Sequence, residues 1–296
     1  MIKYHEKDYG SVVANKFRDY LWGNKQVAES TVDAYCISVR AFCDFTGISE
    51  EDAIKAIDGK VVRNFVEHLR HDEYEKGKKY LVSSINIKIV GMNQFLEFYK
   101  LVDLKASQLD KQRKLFISDA EKLEDLELSK LLNMSKAEDE EFHCVLRSLV
   151  QTGMRASEAK SITYESLQNG YVDVDNKGTC RQVPLPNDLK LELTDYCERK
   201  GIIKGAIFTL DRTEIGRKMK RLGLKLDIGI KKLHPHNLRH YFALKFIEIY
   251  GEGALSVLAD ILGHKSIETT RIYLTKTLSE LSDKMTAESL KIKVAS

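Results

Sequence analysis

Apolar side chains recur at three- and four-residue intervals through most of this chain, and its 296 residues contain only three prolines. A proline inside a helix removes a hydrogen bond and clashes with the preceding turn, so a chain this poor in it suits a mainly helical fold. From Thr31, the positions Val32, Tyr35, Val39, Phe42 and Phe45 share one helix face, and the run ends at Gly47. Ser49 followed by Asp52 has the form of an N-cap with an acidic third position, so a second helix is expected there. Val62, Phe65, Val66 and Leu69 continue the pattern. Ser83 or Ser84 is placed to cap another helix, carrying Ile87, Val90, Met92, Phe95, Phe98 and Tyr99. Four or five short helices form a bundle, expected over residues 8–105. The stretch 101–118 loses the periodicity and is polar and basic, so a linker is expected over 106–118.

A second domain is expected over 119–296. Ala137–Leu149 and Arg155–Ser161 look helical, joined through Gly153. Tyr171-Val-Asp-Val-Asp then alternates apolar and polar, Asn176-Lys-Gly makes a turn, and Gln182-Val-Pro-Leu runs out again, which is a β-hairpin pattern. Helices resume at Leu189–Arg199, at Glu214–Leu222 and from His236 onward. The expected class is mainly α with a small β-sheet: a helical bundle followed by a larger domain.

Composition narrows the function. Hydrophobic residues at 43% and charged residues at 31% suit a globular protein. No apolar run reaches the roughly 18 residues a membrane span needs, and MIKYHEKDYG lacks the basic-then-apolar layout of a signal peptide, so a cytoplasmic protein is expected. The cysteines Cys36, Cys43, Cys144, Cys180 and Cys197 are scattered without CxxC spacing, giving neither a disulfide framework nor a zinc site. Net charge is only +3, but its distribution is uneven: Arg212 to Lys245 holds ten Lys/Arg against Glu214 and Asp227, with His234, His236 and His240 among them. Such a stretch is either a solvated basic face or the footprint of a phosphate backbone.

Four separated segments then matter together: TGMRASEAKSI (152–162), DNKGTCRQVPLP (175–186), HPHNLRHYFA (234–243) and LADILGHKSIETTRIYL (258–274). Arg155 and Arg239 are permanently charged forks of the kind that grip the non-bridging oxygens of a phosphate and stabilise charge developing in a transition state. His236 stands three residues before Arg239, which on a helix puts both on one face. A tyrosine such as Tyr273 is a phenol of pKa about 10, which would need a base to attack at neutral pH, and His236 is a candidate for that role. His236 and His240 also have the spacing of two zinc ligands on one helix face, but the glutamate of a His-Glu-x-x-His motif is missing. There is no phosphate-binding Gly-x-x-x-x-Gly-Lys-Ser/Thr loop.

In order and separation these segments resemble the motif boxes of the tyrosine recombinase (phage integrase) family, most closely its two-domain Xer-like and transposon-resolvase members. The resemblance implies a catalytic set of Arg155, Lys177, His236, Arg239, His264 and Tyr273, with Glu158 and His240 in support. It implies that Tyr273 attacks a DNA phosphate to leave a 3′-phosphotyrosyl bond, that Lys177 protonates the departing 5′ oxygen, that His264 donates to the phosphate, and that no metal, ATP or other cofactor takes part. The turn reads Asn-Lys-Gly where Gly-Lys-Gly is common in the family. The implied partner is double-stranded DNA with inverted-repeat core sites, exchanged through a Holliday junction by a homotetramer, with no membrane involved. Lys111, Arg113, Lys114, Arg217, Lys218, Lys220 and Arg221 are the expected DNA-backbone contacts. Leu278, Leu281, Met285 and Leu290 form a stripe that either packs on its own domain or is donated to a neighbouring protomer. A type IB topoisomerase and a catalytically idle DNA-binding protein on the same fold are the alternatives.

Overall fold

The computed structural model describes residues 7–24, 27–71, 73–75, 77–110, 121–176, 179–264 and 266–274. Lys111, Arg113, Lys114, Lys177 and the stripe beyond Leu278 lie outside them. The chain divides into two compact units, residues 1–113 and 114–296. Among the described residues, helices dominate both, each unit carries one two-stranded antiparallel sheet, and no helix is long and apolar enough to cross a membrane.

The first unit holds α1 (Val12–Asn24), α2 (Glu29–Thr46), α3 (Gly59–His71), a small β1–β2 ribbon (Glu73–Glu75, Lys78–Lys79) and α4 (Val82–Phe98). Its core is aromatic: Phe17, Phe42, Phe65 and Phe95 are fully buried, with ring centroids 5.0–6.3 Å apart across the Phe42–Phe65, Phe17–Phe95 and Phe42–Phe95 pairs. α2 and α4 approach closely because Gly91 has no side chain; a Cβ there would meet Ser38 at 2.6 Å. Two asparagines on α4 then pin the chain that follows. Asn86 exchanges two 2.8 Å bonds with the backbone of Leu109, and Asn93 does the same with Ala106 at 2.8 and 3.0 Å.

Two expected helix starts differ from the structure. The chain after Ser49 forms only a 3₁₀ turn, Glu51–Ala56, with Glu50 at its N-cap position. α4 begins at Val82, so Ser83 and Ser84 fall inside its first turn and Leu81 occupies the cap without a side-chain bond. Burial of Ile85, Ile89 and Met92 sets where α4 lies, and packing of an apolar face outweighs a cap worth about 1 kcal/mol.

The second unit runs α5 (Asp125–Glu138), α6 (Glu140–Thr152), α7 (Tyr164–Asn169), β3 (Tyr171–Asn176), β4 (Thr179–Pro184), α8 (Asn187–Lys200), α9 (Arg212–Lys225), α10 (Pro235–Tyr250), α11 (Leu255–Leu262) and the short α12 (Glu268–Arg271). The helix expected from Ala137 is in fact two, because Asp139 leaves helical geometry and caps α6 by accepting from the Phe142 N–H at 3.0 Å. The β3–β4 hairpin pairs from Tyr171 with Pro184 to Asn176 with Thr179. Val172, Val174 and Val183 turn inward onto the main core, which includes Leu131, Phe142, Leu149, Leu189, Met219 and Leu238. A separate cluster of Ala243, Leu258, Leu262 and Tyr273 joins α10 and α11 to the turn after α12.

Candidate active site

Arg155 is not on an α-helix; it is the N-cap of a 3₁₀ turn, Ala156–Ser161, that follows the break after α6. Glu158 closes that turn, its carboxylate accepting from the Arg155 backbone N–H and from Arg155 Nη1, each at 2.8 Å. The same carboxylate receives a fork from Arg181 of β4, Nη1 at 3.1 Å and Nη2 at 2.7 Å. Burial on its own raises a carboxylate's pKa, but the Arg181 bond and the two from Arg155 outweigh it and hold Glu158 below its ordinary value. It is therefore a fixed anion between two cations.

Arg239 rises from the first turns of α10 and is 1% exposed, one of the largest fully buried side chains of the described residues. A buried guanidinium needs acceptors, and helix C-termini supply them, because their last carbonyls have no intrahelical partner and carry partial negative charge. Nη1 donates to Gly153 O at the end of α6 (2.9 Å) and Nη2 to Leu262 O at the end of α11 (2.6 Å). Two of five N–H groups are thereby used, and Nε has no partner among the described residues. Burial, with the Arg155 charge adding to it, draws the guanidinium down to about 10, which leaves it charged at neutral pH.

Glycine is required at both ends that present those carbonyls. Gly153 adopts φ +65°, and a Cβ there would lie 2.3 Å from a ring carbon of Phe242. Gly153→Ala should cost about 1–2 kcal/mol in left-handed backbone strain and about 1–3 kcal/mol in overpacking, seen as a lower thermal midpoint. Gly153→Ala/Phe242→Leu should recover only the steric share; full recovery would mean the backbone conformation is not what needs glycine.

Tyr273, 4% exposed, lies against this arginine. Burial raises its pKa, countered in part by the Arg239 charge and hydrogen bond and by Arg155. Its ring meets His240 edge-on at 5.4 Å and stacks with His264 at 6.4 Å, and His240 in turn meets His236 at 4.4 Å. His264 follows Gly263, returns its N–H to Ala259 O at 3.0 Å, and bonds through Nδ1 to the buried Thr270 hydroxyl at 2.8 Å. Desolvation and the neighbouring cations lower His236 and bring His240 and His264 to about 4, so all three are neutral at pH 7. The buried His240 Nδ1 has no partner among the described residues, and among those residues no trio of His, Cys, Asp or Glu side chains is placed to hold a metal.

Arg155, His236 and Arg239 open onto a cleft of about 620 Å³ that Ser157, Asn237, Arg212 and Lys231 also line. Four cations face one carboxylate there, that of Glu121, so the cleft suits an anion. Tyr273 is not among the lining residues; it borders a second cavity of about 730 Å³ beside Tyr241 and Lys245. Of the sequence-expected set, the structure gathers Arg155, His236, Arg239, His264 and Tyr273 with Glu158 and His240.

The four expected DNA contacts on α9 divide. Lys218 pairs with Asp139 and Arg221 with Glu138 at 3.7 Å, because the α5–α6 junction turns its acids towards α9. Arg217 and Lys220 are exposed and form no ion pair among the described residues. Arg212 and Lys231, which do line the cleft, were not singled out by sequence, and neither was Arg181. The last had a visible signal: it pairs across the hairpin with Val174, on the face shared by Val172 and Val183, where strand alternation calls for an apolar residue.

Residues 121–280 match the phage integrase family, and residues 14–100 the N-terminal SAM-like domain of phage integrases. The chain is 30% identical over 260 residues to tyrosine recombinase XerA of Saccharolobus solfataricus, covering 85% of this chain and 84% of that protein. It is 28% identical over 290 residues to XerD of Staphylococcus epidermidis, covering 92% and 96%. The crystal structure of XerH site-specific recombinase bound to difH substrate superposes with a TM-score of 0.66 at 17% identity, over 92% of this chain and 84% of that one. A cleft built on paired arginines with a tyrosine packed behind them, in a chain matched to these relatives over most of its length, makes this protein a member of the tyrosine recombinase (phage integrase) family.

Proposed function

We propose that this protein is a site-specific DNA recombinase that cuts and rejoins strands through a phosphotyrosine at Tyr273. The observation that carries this reading is the placement of a buried, charged Arg239 between the anion cleft and Tyr273. The Arg155 and Arg239 guanidiniums hold the non-bridging oxygens of the scissile phosphate and offset the charge that builds as the fifth oxygen approaches. The Tyr273 oxygen bonds to phosphorus, its proton passing to neutral His236, and the bond to the 5′ oxygen breaks as Lys177 supplies a proton. His264 bonds through Nδ1 to Thr270, and in the tautomer whose Nδ1 accepts there, Nε2 carries the proton and donates to the phosphate. Because Tyr273 lies behind Arg239, DNA binding has to bring its hydroxyl into the cleft.

The guanidiniums supply the charge a metal would otherwise bring, and the 3′-phosphotyrosyl bond keeps the diester's energy, so neither metal nor ATP is needed. Double-stranded DNA with inverted-repeat core sites, joined by a homotetramer through a Holliday junction in the cytoplasm, is the matching partner. XerH, with the same fold, was solved on its DNA substrate. The test is a nicked duplex whose cleavage releases a short strand and traps the enzyme. An SDS-resistant adduct mapped to Tyr273 is expected. No adduct would favour an idle DNA-binding protein, and adduct with relaxation but without site-dependent exchange would favour a topoisomerase.

The histidines also set a pH dependence. In the unfolded chain an imidazole takes up a proton near 6.5, whereas His240 and His264 in the fold resist it down to about 4. The unfolded state therefore binds more protons in this window, so stability is complete above about 6.5 and is lost as pH falls towards 4. The thermal midpoint should fall steadily from pH 6.5 to 4.5, less steeply in His240→Gln; a flat wild-type profile would contradict it.

A further inference from the structure

Arg181 ties together parts of the second unit that are far apart in sequence. Its Nη1 and Nη2 grip both oxygens of Glu158, and its Nε donates to Ile261 O at 2.9 Å. Ile261 O is the carbonyl before the one Arg239 takes, so two guanidiniums cap successive carbonyls at the end of α11. Gly263 follows with φ +65°, and a Cβ there would come within 2.8–3.0 Å of the Arg181 side chain, so this arginine also shapes the turn that leads into His264. A closed circuit results. Arg155 is held by Glu158, Glu158 by Arg181, Arg181 by the end of α11, the end of α11 by Arg239, and Arg239 by Gly153, two residues before Arg155.

We propose that Arg181 is a positioning residue for phosphoryl transfer, orienting Arg155 through Glu158 and the His264 turn through Ile261, without touching DNA itself. This rests on the recombinase reading above. With a side chain only 10% exposed, and three of its N–H groups committed to Glu158 and Ile261, it has little left to offer a phosphate. Remove it, and Glu158 loses the fork that holds both of its oxygens; the carboxylate can then shift and pull the Arg155 guanidinium out of line. A bidentate fork of this kind cannot be reproduced by lysine.

The experiment uses the full chain and single-turnover adduct formation on the nicked duplex, with two forms of the scissile group: the ordinary phosphate, and a methylphosphonate that carries no charge. Tyr273-dependent adduct from the wild type is required first; its failure would defeat the recombinase reading rather than the role of Arg181. Arg181→Gln should slow adduct formation about 100-fold on phosphate, the size expected for a misplaced catalytic group, with DNA affinity unchanged. On methylphosphonate, where there is no anion for Arg155 to neutralise, the defect should shrink to below about tenfold. In an Arg155→Ala background, Arg181→Gln should add little, because the two act on one interaction. A purely architectural role would slow both substrates equally, and that result, or an undiminished rate on phosphate, would overturn the proposal. If Arg181→Gln fails to fold, Arg181→Lys keeps the charge while losing the fork, and the same difference between substrates decides.

Discussion

Tyr273→Phe will form no SDS-resistant adduct with a nicked duplex, yet it will fold and bind that duplex as the wild type does. The substitution removes one oxygen from a ring packed among Ala243, Leu258 and Leu262, so the cavity left is too small to disturb α10 and α11. The lost hydrogen bond is with Arg239, which keeps its bonds to Gly153 O and Leu262 O. A net cost of about 1 kcal/mol is expected, which is a fall in thermal midpoint of about 2–4 °C for a unit of this size. DNA affinity comes from many phosphate contacts and does not depend on this hydroxyl. Chemistry does, because in the proposed reaction this hydroxyl oxygen is the atom that bonds to phosphorus. Undiminished adduct in the variant would falsify the assignment.

Arg239→Lys should have the second-largest effect, and on two observables at once. An ammonium is a point donor on a stem that cannot span Gly153 O and Leu262 O while also facing the cleft. At least one helix-terminal carbonyl is left unpaired inside the protein, and a buried unpaired polar group costs about 1–3 kcal/mol. With the ill-fitting buried ammonium added, the midpoint should drop by roughly 10 °C. Adduct formation should fall by at least about 10²–10³-fold, as when one preorganised donor to a developing anion is removed, measured where circular dichroism shows the variant folded. Rates within a few-fold of wild type would show that Arg239 is architectural only.

How much of this was legible beforehand differs between the parts. The helical character of both units followed from periodicity, because burying one face is what makes a short helix stable. The hairpin followed from strict alternation around Asn176-Lys-Gly. Caps were read less well: a Ser-x-x-Asp pattern marks a competent cap, but the chain after Ser49 forms only a 3₁₀ turn with Glu50 at the cap position, and Asp139 broke a run of good helix formers that looks continuous. The charged residues on α9 could not be told apart. A lysine or arginine looks the same in sequence whether an acid from another helix meets it or not. Lys218 and Arg221 meet Asp139 and Glu138, while Arg212 and Lys231 are left to the cleft.

By itself the sequence determined the identities and order of Arg155, Glu158, His236, Arg239, His264 and Tyr273, and with them the chemistry they are suited to. Side-chain type and spacing carry that information, since one helix face or one turn brings such groups together locally. Only the tertiary structure decided that Arg239 is buried on the carbonyl ends of α6 and α11, that Tyr273 sits behind it rather than in the cleft, and that Arg181 closes a circuit through Glu158. Those facts depend on which helix ends meet which guanidinium, across 23 to 86 residues of chain. A hydrogen bond of that reach leaves no periodic trace in a sequence; it is set by packing, when buried charges must find partners or stay in water.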